Sequence, residues 1–398
     1  MTHARQSDAD ADQPDGRLTG RPDPGVAAVA QARFAIVGSG WRAEFFARMA
    51  RLMPERFAVT AVVSRGAERR ADVEGAWGVA TAPTIGAAID LELPDFVVVA
   101  VPWDVSPGVI RQLVTLDVPV LAETPPAPDL AALRALWADV GRSGLVQVAE
   151  HSPYMPAHAA RLEVVRRGLI GEATSVQISS THQYHALAVI RAMLGLGVGA
   201  APDGDPAAGF DEVTVSAQAF RAPLADPVGR SGWTGDDAPR DAATTLATLD
   251  FGGGRSALYD FTDNQWHNPL RANRIVVRGS RGELVDDRVV RLTGDRTVVE
   301  SHLVRRQAGI EQSLDGFDLD HLSVDGQVVY RNAFAGARLA DDDIAVASLL
   351  AGTAAWVAGG PEPYPLAHAC QDHLLGLAIG TAARTGARVR THVEAWGK

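Results

Sequence analysis

The sequence predicts an α/β chain in two parts: a doubly wound N-terminal domain over residues 33–150, and an α+β domain over 151–398 with a large, mainly antiparallel open sheet. Three observations predict it. At 398 residues the chain is longer than the roughly 250–300 residues at which single cores stop growing. In the first half, short wholly apolar runs alternate with amphipathic stretches, as in parallel strands covered by helices on both faces. In the second half, apolar residues fall at every other position in consecutive segments parted by short turns, as half-buried antiparallel strands require.

The elements follow in order. RFAIVG from Arg33 reads as a buried strand ending at glycine, and Ala43 to Leu52 as a helix. FAVTAVVS (57–64) is a strand, 67–78 and 84–91 are helices, and DFVVVAVP (95–102) is a strand. A helix over 105–117 carries proline near its start. A strand over 118–123, a helix over 129–144 ending at glycine, and a strand over 145–150 complete the first domain. The second opens with a helix over 156–173, a strand over 173–181 and a helix over 184–197. EVTVSAQAF, ATTLATLDF, RSALYDFT, NRIVVRGS, GELVDDRVVRL, RTVVESHLVRR and GQVVYRN each read as a strand, with loops over 200–210 and 222–240. Helices at 340–358 and 364–385 close the chain, the last placed to pack back on the first domain. Residues 1–32, rich in Asp, Pro, Gly and Ala, read as a disordered tail without the pattern of a secretory signal.

Composition narrows the partners. The chain is 46% apolar and 21% charged, as ordinary globular proteins are. A formal charge of −11 repels nucleic acid and anionic lipid, so a small-molecule substrate is expected instead. No apolar run approaches the roughly 18 residues of a membrane span. The single cysteine, Cys370, excludes an internal disulfide and a thiolate metal cluster. It reads as buried filler, and its reduced state fits the cytoplasm. The open sheet presents a face that needs covering, so a homo-oligomer, dimer or tetramer, is expected.

The strongest local signal is Gly38-Ser39-Gly40-Trp41-Arg42-Ala43, a GxGxxA pattern between a strand and a helix. Gly38 permits the tight turn, Gly40 lets a pyrophosphate approach the backbone, and Ala43 allows close helix–strand packing. The free N–H groups of the helix start would face the phosphates. This is the dinucleotide-binding arrangement of a Rossmann domain. Its second strand ends at Ser64 and Arg65 rather than at an acid, with Arg69 and Arg70 close behind. A serine and an arginine suit a 2′-phosphate, so NADP(H) is preferred over NAD(H); the alternative is a solvated helix start.

Chemistry converges on THQYHAL. Proton transfer to or from a carbinol needs an acid/base, and histidine titrates in the right range. His185 is the first candidate; helix capping or packing is its alternative. Tyr184 could donate a proton instead, and His182, three residues before His185, would share its face on a continuous helix. AEHSPYMP begins where ligands of parallel sheets bind, so Glu150, His151 and Tyr154 are substrate-side candidates, with Glu150 able to orient a histidine. Their alternative is a domain hinge. Trp266 and His267 could cover a sugar face, or form a polar strand end. Trp103 could lie against the nicotinamide ribose or in the core. No ligand spacing supports a metal.

In motif order the chain resembles the glucose-fructose oxidoreductase / inositol dehydrogenase (Gfo/Idh/MocA) family, from about Arg33 to the C-terminus. Pro102-Trp103-Asp104-Val105-Ser106 resembles the family's Pro-Asn-x-x-His, and Glu123-Thr124-Pro125 its Glu-Lys-Pro. PAHAARLEVVRRGLIGEATSVQ, HALAVIRAMLG and VVRGSRGELVDD resemble segments of its second domain. The resemblance implies hydride transfer between nicotinamide and a sugar, cyclitol or related polyol, with Pro102, Trp103, Glu123 and Thr124 around the cofactor and His185 facing substrate. The chain departs from the pattern where the family lysine is Thr124, two family aspartates are Thr181 and Ala188, and the Asn and His after Pro102 are Trp103 and Ser106. These departures leave two alternatives to a dehydrogenase: a redox-inactive binding or scaffold protein, and an epimerase or lyase that returns its cofactor unchanged.

Overall fold

The computed structural model describes residues 31–199, 209–309 and 316–398. The expected tail lies outside these residues except for its last two positions, and so does most of the loop expected over 200–210.

The first domain holds β1 (Ala32–Val37), α1 (Trp41–Leu52), β2 (Phe57–Val63), α2 (Ala67–Trp77), β3 (Thr81–Ala82), α3 (Ile85–Leu91), β4 (Phe96–Val99), α4 (Ser106–Thr115), β5 (Val120–Ala122), α5 (Leu130–Val140) and β6 (Val146–Val148). Its six strands lie in the order β3-β2-β1-β4-β5-β6, all parallel. Both faces are buried, which is why β4 reads FVVV without a polar residue. Local chemistry sets the helix ends. The Thr84 and Asp129 side chains accept the Ala87 and Ala132 N–H groups at 3.1 and 2.9 Å, and α2 stops at Gly78, left-handed at φ +67°. Chain order reverses between β1 and β4. The carboxyl ends of the strands open a crevice there.

The second domain begins with α6 (Pro156–Arg166), β7 (Ala173–Ser179) and α7 (Gln183–Met193). The strands β8 (Thr214–Leu224), β9 (Val228–Gly229), β10 (Gly232–Trp233), β11 (Arg240–Gly252), β12 (Arg255–Thr262), β13 (Arg274–Gly279), β14 (Gly282–Val285), β15 (Arg288–Gly294), β16 (Thr297–His302), β17 (Val304–Ala308), β18 (Asp318–Val324) and β19 (Gln327–Arg331) follow. Then come α8 (Asp341–Val357), α9 (Leu366–Thr385) and β20 (Val389–Arg390). The main sheet runs β16-β15-β14-β13-β7-β12-β11-β8-β20, with β7 and β12 its one parallel pair among the described residues. Strands β17 to β19 form a separate small sheet, and β9 with β10 a short hairpin.

Three expectations are corrected here. GELVDDRVVRL is two strands, because Asp286 adopts φ +55° and turns the chain between β14 and β15. Asp tolerates that conformation, so turn chemistry prevails over the alternating pattern. RTVVESHLVRR is divided at Leu303 between two sheets. The segment 222–240 is not all loop, since it carries the β9–β10 hairpin.

The C-terminal region touches the first domain through specific bonds. The Gln147 amide donates to Glu362 at 2.9 Å and accepts from the Tyr364 N–H at 3.0 Å, and Arg134 grips Glu394 with two hydrogen bonds. Cys370 is fully buried on α9. Among the described residues no helix is long and apolar enough to cross a membrane.

Candidate functional site

The glycine bend leaves β1 at Gly38, which has φ +119°, and a Cβ there would lie 2.1 Å from the Ala100 carbonyl oxygen. Only glycine fits, because the bend passes directly against the end of β4. At Gly40 a Cβ would meet nothing within 4 Å, and the first turn of α1 has no side-chain cap. The helix start therefore offers uncapped N–H groups beside open space, a cradle that fits a pyrophosphate. Ser39 and Ser64 hydroxyls face each other at 3.3 Å across the bend. Arg69 hydrogen-bonds both the hydroxyl and the carbonyl of Ser39, and Arg70 donates to the Ser64 and Arg65 carbonyls at 3.0 and 2.9 Å. Arg69 thus bonds the bend and Arg70 the end of β2, while Arg65 and Arg69 remain exposed at the start of α2.

Arg42 points inward. Its Nε donates to Glu123 at 2.5 Å and an Nη to His151 Nδ1 at 3.2 Å. Burial opposes its charge, but Glu123, Asp342 and Glu150 outweigh burial and strengthen it. Because arginine can only donate, His151 Nδ1 is an acceptor, so the ring's proton sits on Nε2, 3.0 Å from Asp342 at the start of α8. Glu123 also accepts the Thr124 N–H at 3.2 Å.

Beyond β6 lies the centre of the site. Glu150 is 1% exposed and hydrogen-bonds His185 Nδ1 at 2.6 Å and the Ser152 N–H at 3.0 Å. Burial would raise its carboxyl, but the His185 charge and hydrogen bond, His151 and the Ser152 N–H prevail and hold it at about 2. An ionised carboxylate only accepts, so His185 donates from Nδ1 and a neutral ring carries its lone pair on Nε2. Among the described residues Nε2 makes no hydrogen bond.

His182 lies just before α7 rather than on it, with Gln183 at φ +34° between, yet its ring centre is 5.1 Å from that of His185. Burial, then the nearby His185 charge, lowers His182 to about 4, so it is neutral near pH 7. It packs against Trp266 at 4.9 Å and Phe261 at 6.0 Å. Tyr184 is 4.5 Å from the His185 ring; burial, with the Glu150 and Glu123 charges, pushes its hydroxyl well above the ordinary range. His182, Tyr184, His185, Glu150, His151 and Trp266 are therefore brought together.

Other candidates stand apart. Tyr154 donates its hydroxyl to the Pro363 carbonyl at 2.5 Å, a tether between the crevice and the segment before α9. His267 packs beside Trp266 at 5.9 Å. Pro102 and Trp103 are exposed on a turn beyond β4, which rules out a core role for Trp103. Sequence reasoning missed Asp342, and it missed Asp372 and His373 of α9, which line a small gap with Thr124, Glu150 and Tyr184. Asp372 also holds the buried Arg191 at 2.5 Å, and burial lifts its carboxyl to about 6. Their advance signs were the run Asp341-Asp342-Asp343 at the start of one helix and the polar step Gln371-Asp372-His373 within another. Among the described residues no group of three or more His, Cys, Asp or Glu is arranged to hold a metal ion.

A doubly wound sheet with an open glycine bend at its switch point, joined to a second domain that closes the crevice with a carboxylate–histidine pair, defines a two-domain oxidoreductase of the dinucleotide-binding class. Residues 32–151 match the model of the oxidoreductase family with an NAD-binding Rossmann fold, Gfo/Idh/MocA. No curated protein sequence matches the chain. Solved structures share the fold over both domains. A myo-inositol dehydrogenase from Corynebacterium glutamicum is 17% identical with a TM-score of 0.60, over 91% of this chain and 99% of that one. A levoglucosan dehydrogenase in complex with NADH and levoglucosan is 14% identical with a TM-score of 0.62, over 90% and 99%. An oxidoreductase from Agrobacterium radiobacter, solved with NAD+, L-tartaric acid and magnesium, is 15% identical with a TM-score of 0.60, over 90% and 98%.

Proposed function

We propose that the protein is a dehydrogenase or reductase that moves a hydride between nicotinamide and a carbinol or carbonyl carbon of a sugar, cyclitol or related polyol. The observation that carries this reading is the Glu150–His185 pair, with Nδ1 committed to a buried carboxylate and Nε2 free. Gly38, Ser39, Gly40 and Trp41 would hold the cofactor's pyrophosphate, with Glu123, Thr124, Pro102 and Trp103 toward the nicotinamide end. Ser64 and Arg65, with no acid at the end of β2, favour NADP(H) over NAD(H). When bound, the nicotinamide supplies the hydride donor or acceptor. His185 Nε2 takes the substrate hydroxyl proton in oxidation and returns it in reduction, and Glu150 stabilises the ring while it is charged. Trp266 and His182 form an aromatic wall suited to an apolar sugar face.

The test follows NADPH and NADH absorbance over a panel of sugars, cyclitols and polyols and the matching ketones. Turnover is expected on a member of this panel. Glu150→Gln should then lower kcat about 10- to 100-fold, the worth of one charge-assisted hydrogen bond to the imidazolium, while cofactor Kd stays unchanged. Cofactor binding with no turnover anywhere on the panel overturns the reading in favour of a binding protein.

A further inference from the structure

The β9–β10 hairpin takes no part in the main sheet. Its base is pinned to the loop that carries Trp266. Asn264 donates to both Asp226 carboxylate oxygens at 2.8 and 2.7 Å and to the Val228 carbonyl at 3.1 Å, and Asn268 donates to the Ala225 carbonyl at 2.8 Å. The Thr234 N–H closes the base on the Pro227 carbonyl at 2.9 Å. The tip is Gly229-Arg230-Ser231-Gly232, with Gly232 at φ +102° letting the chain reverse. From this tip Arg230 reaches the other domain, where its guanidinium carbon lies 3.8 Å from the ring centre of Trp41. Trp41 is the first residue of α1, directly after Gly40, and half its surface is open.

Two features of this contact exceed what packing needs. Arg230 has no carboxylate partner among the described residues, whereas Arg221 and Arg240 on the strands either side are paired with Asp241 and Asp236. In a chain of net charge −11, a cation without a carboxylate partner among the described residues lies over the indole of Trp41, the first residue of the uncapped helix. The contact is with an exposed indole, which positions a planar donor fork without using its N–H groups.

We propose that Arg230 is a cofactor-binding residue, carried across the crevice by the hairpin to the pyrophosphate seated at Gly38–Trp41. The ligand chemistry is a diphosphate diester, whose charge the helix start neutralises only in part. A second domain that grips the cofactor would also couple cofactor capture to the Trp266 wall, because the same loop pins both. This inference rests on the dinucleotide reading of the first domain.

The test measures Kd for NADH, NADPH and ADP-ribose by calorimetry at low and moderate salt, for the wild-type chain, Arg230→Gln and Arg230→Lys. Arg230→Gln should weaken all three ligands about tenfold or more at low salt, and its Kd should rise less steeply with salt than the wild type's. Arg230→Lys, which keeps the charge but not the fork, should recover part of the loss. A wild-type-like Kd for Arg230→Gln, or a loss with unchanged salt dependence, overturns the proposal and leaves the hairpin a packing element. If the wild-type chain itself binds none of the three, the dinucleotide reading falls first and this one with it.

Discussion

The two glycines of the bend should fail in different ways when each is replaced by alanine. At Gly38 a Cβ would sit 2.1 Å from the Ala100 carbonyl oxygen, at a φ of +119° that side chains rarely adopt. The strained dihedral costs about 1–3 kcal/mol, and relieving the overlap by parting β1 from β4 costs about 1–3 kcal/mol more. Gly38→Ala should therefore lower the melting temperature by roughly 5–25 °C. At Gly40 the new Cβ meets no protein atom within 4 Å, and the N-cap φ of −81° suits any residue. Gly40→Ala should leave the melting temperature within a few degrees, the cost of a poorer N-cap being about 1 kcal/mol or less. Its methyl instead occupies the space where the pyrophosphate approaches the backbone, and overpacking of about 1–3 kcal/mol there weakens NAD(P)H about 5- to 150-fold. Differential scanning fluorimetry without ligand, followed by calorimetric titration of NADPH and NADH, separates the two effects. Equal losses of stability, or unchanged cofactor affinity in Gly40→Ala, would refute the assignment of the open space to phosphate.

Further outcomes follow from the same geometry. Ser64→Asp puts a carboxylate at the end of β2, where it can accept ribose hydroxyls and repel a 2′-phosphate; the NADPH-to-NADH ratio of Kd values should rise at least about tenfold. Thr124→Lys, which restores the residue the family pattern carries, should reduce stability and turnover rather than raise them. The gap it enters is narrow and lined by Glu150, Tyr184, Asp372 and His373. A gain in turnover would mark a degraded lysine site. Glu150 ties stability to acidity. Its folded carboxyl is depressed from 4.5 to about 2, so its contribution is present above the unfolded value and is lost as pH falls through about 2. Urea unfolding of Glu150→Gln should thus show a deficit of about 3 kcal/mol near pH 5 that narrows below pH 4.5. A deficit that stays flat at lower pH would place its cause in packing rather than charge.

What could be read from the sequence was what neighbours in the chain decide. The strand–glycine–helix signature, the alternation of helices with apolar strands and the acid-free end of β2 are local, and each has its structural counterpart. The pairing of Glu150 with a histidine was half legible, because the end of a parallel strand and the start of α7 were both marked, though nothing in the pattern said which histidine would be the partner. Arg42 shows where local reading stops. Its place in the motif puts its backbone beside the phosphates, but its side chain goes inward to Glu123 on a strand 81 residues away. The same holds for Asp342 on His151 and Asp372 on Arg191, set by how α8 and α9 return to the crevice and to α7, and for Arg230 on Trp41, set by how the hairpin meets the first domain. For Arg42 and Asp372 burial makes sense only with the distant partner, since an unpaired buried charge costs several kcal/mol. The cofactor domain can therefore be recognised from a short run of residues, whereas the acid/base pair and its surroundings belong to the tertiary structure. A substitution far along the chain, at α8, α9 or the hairpin, can change the chemistry without touching any motif.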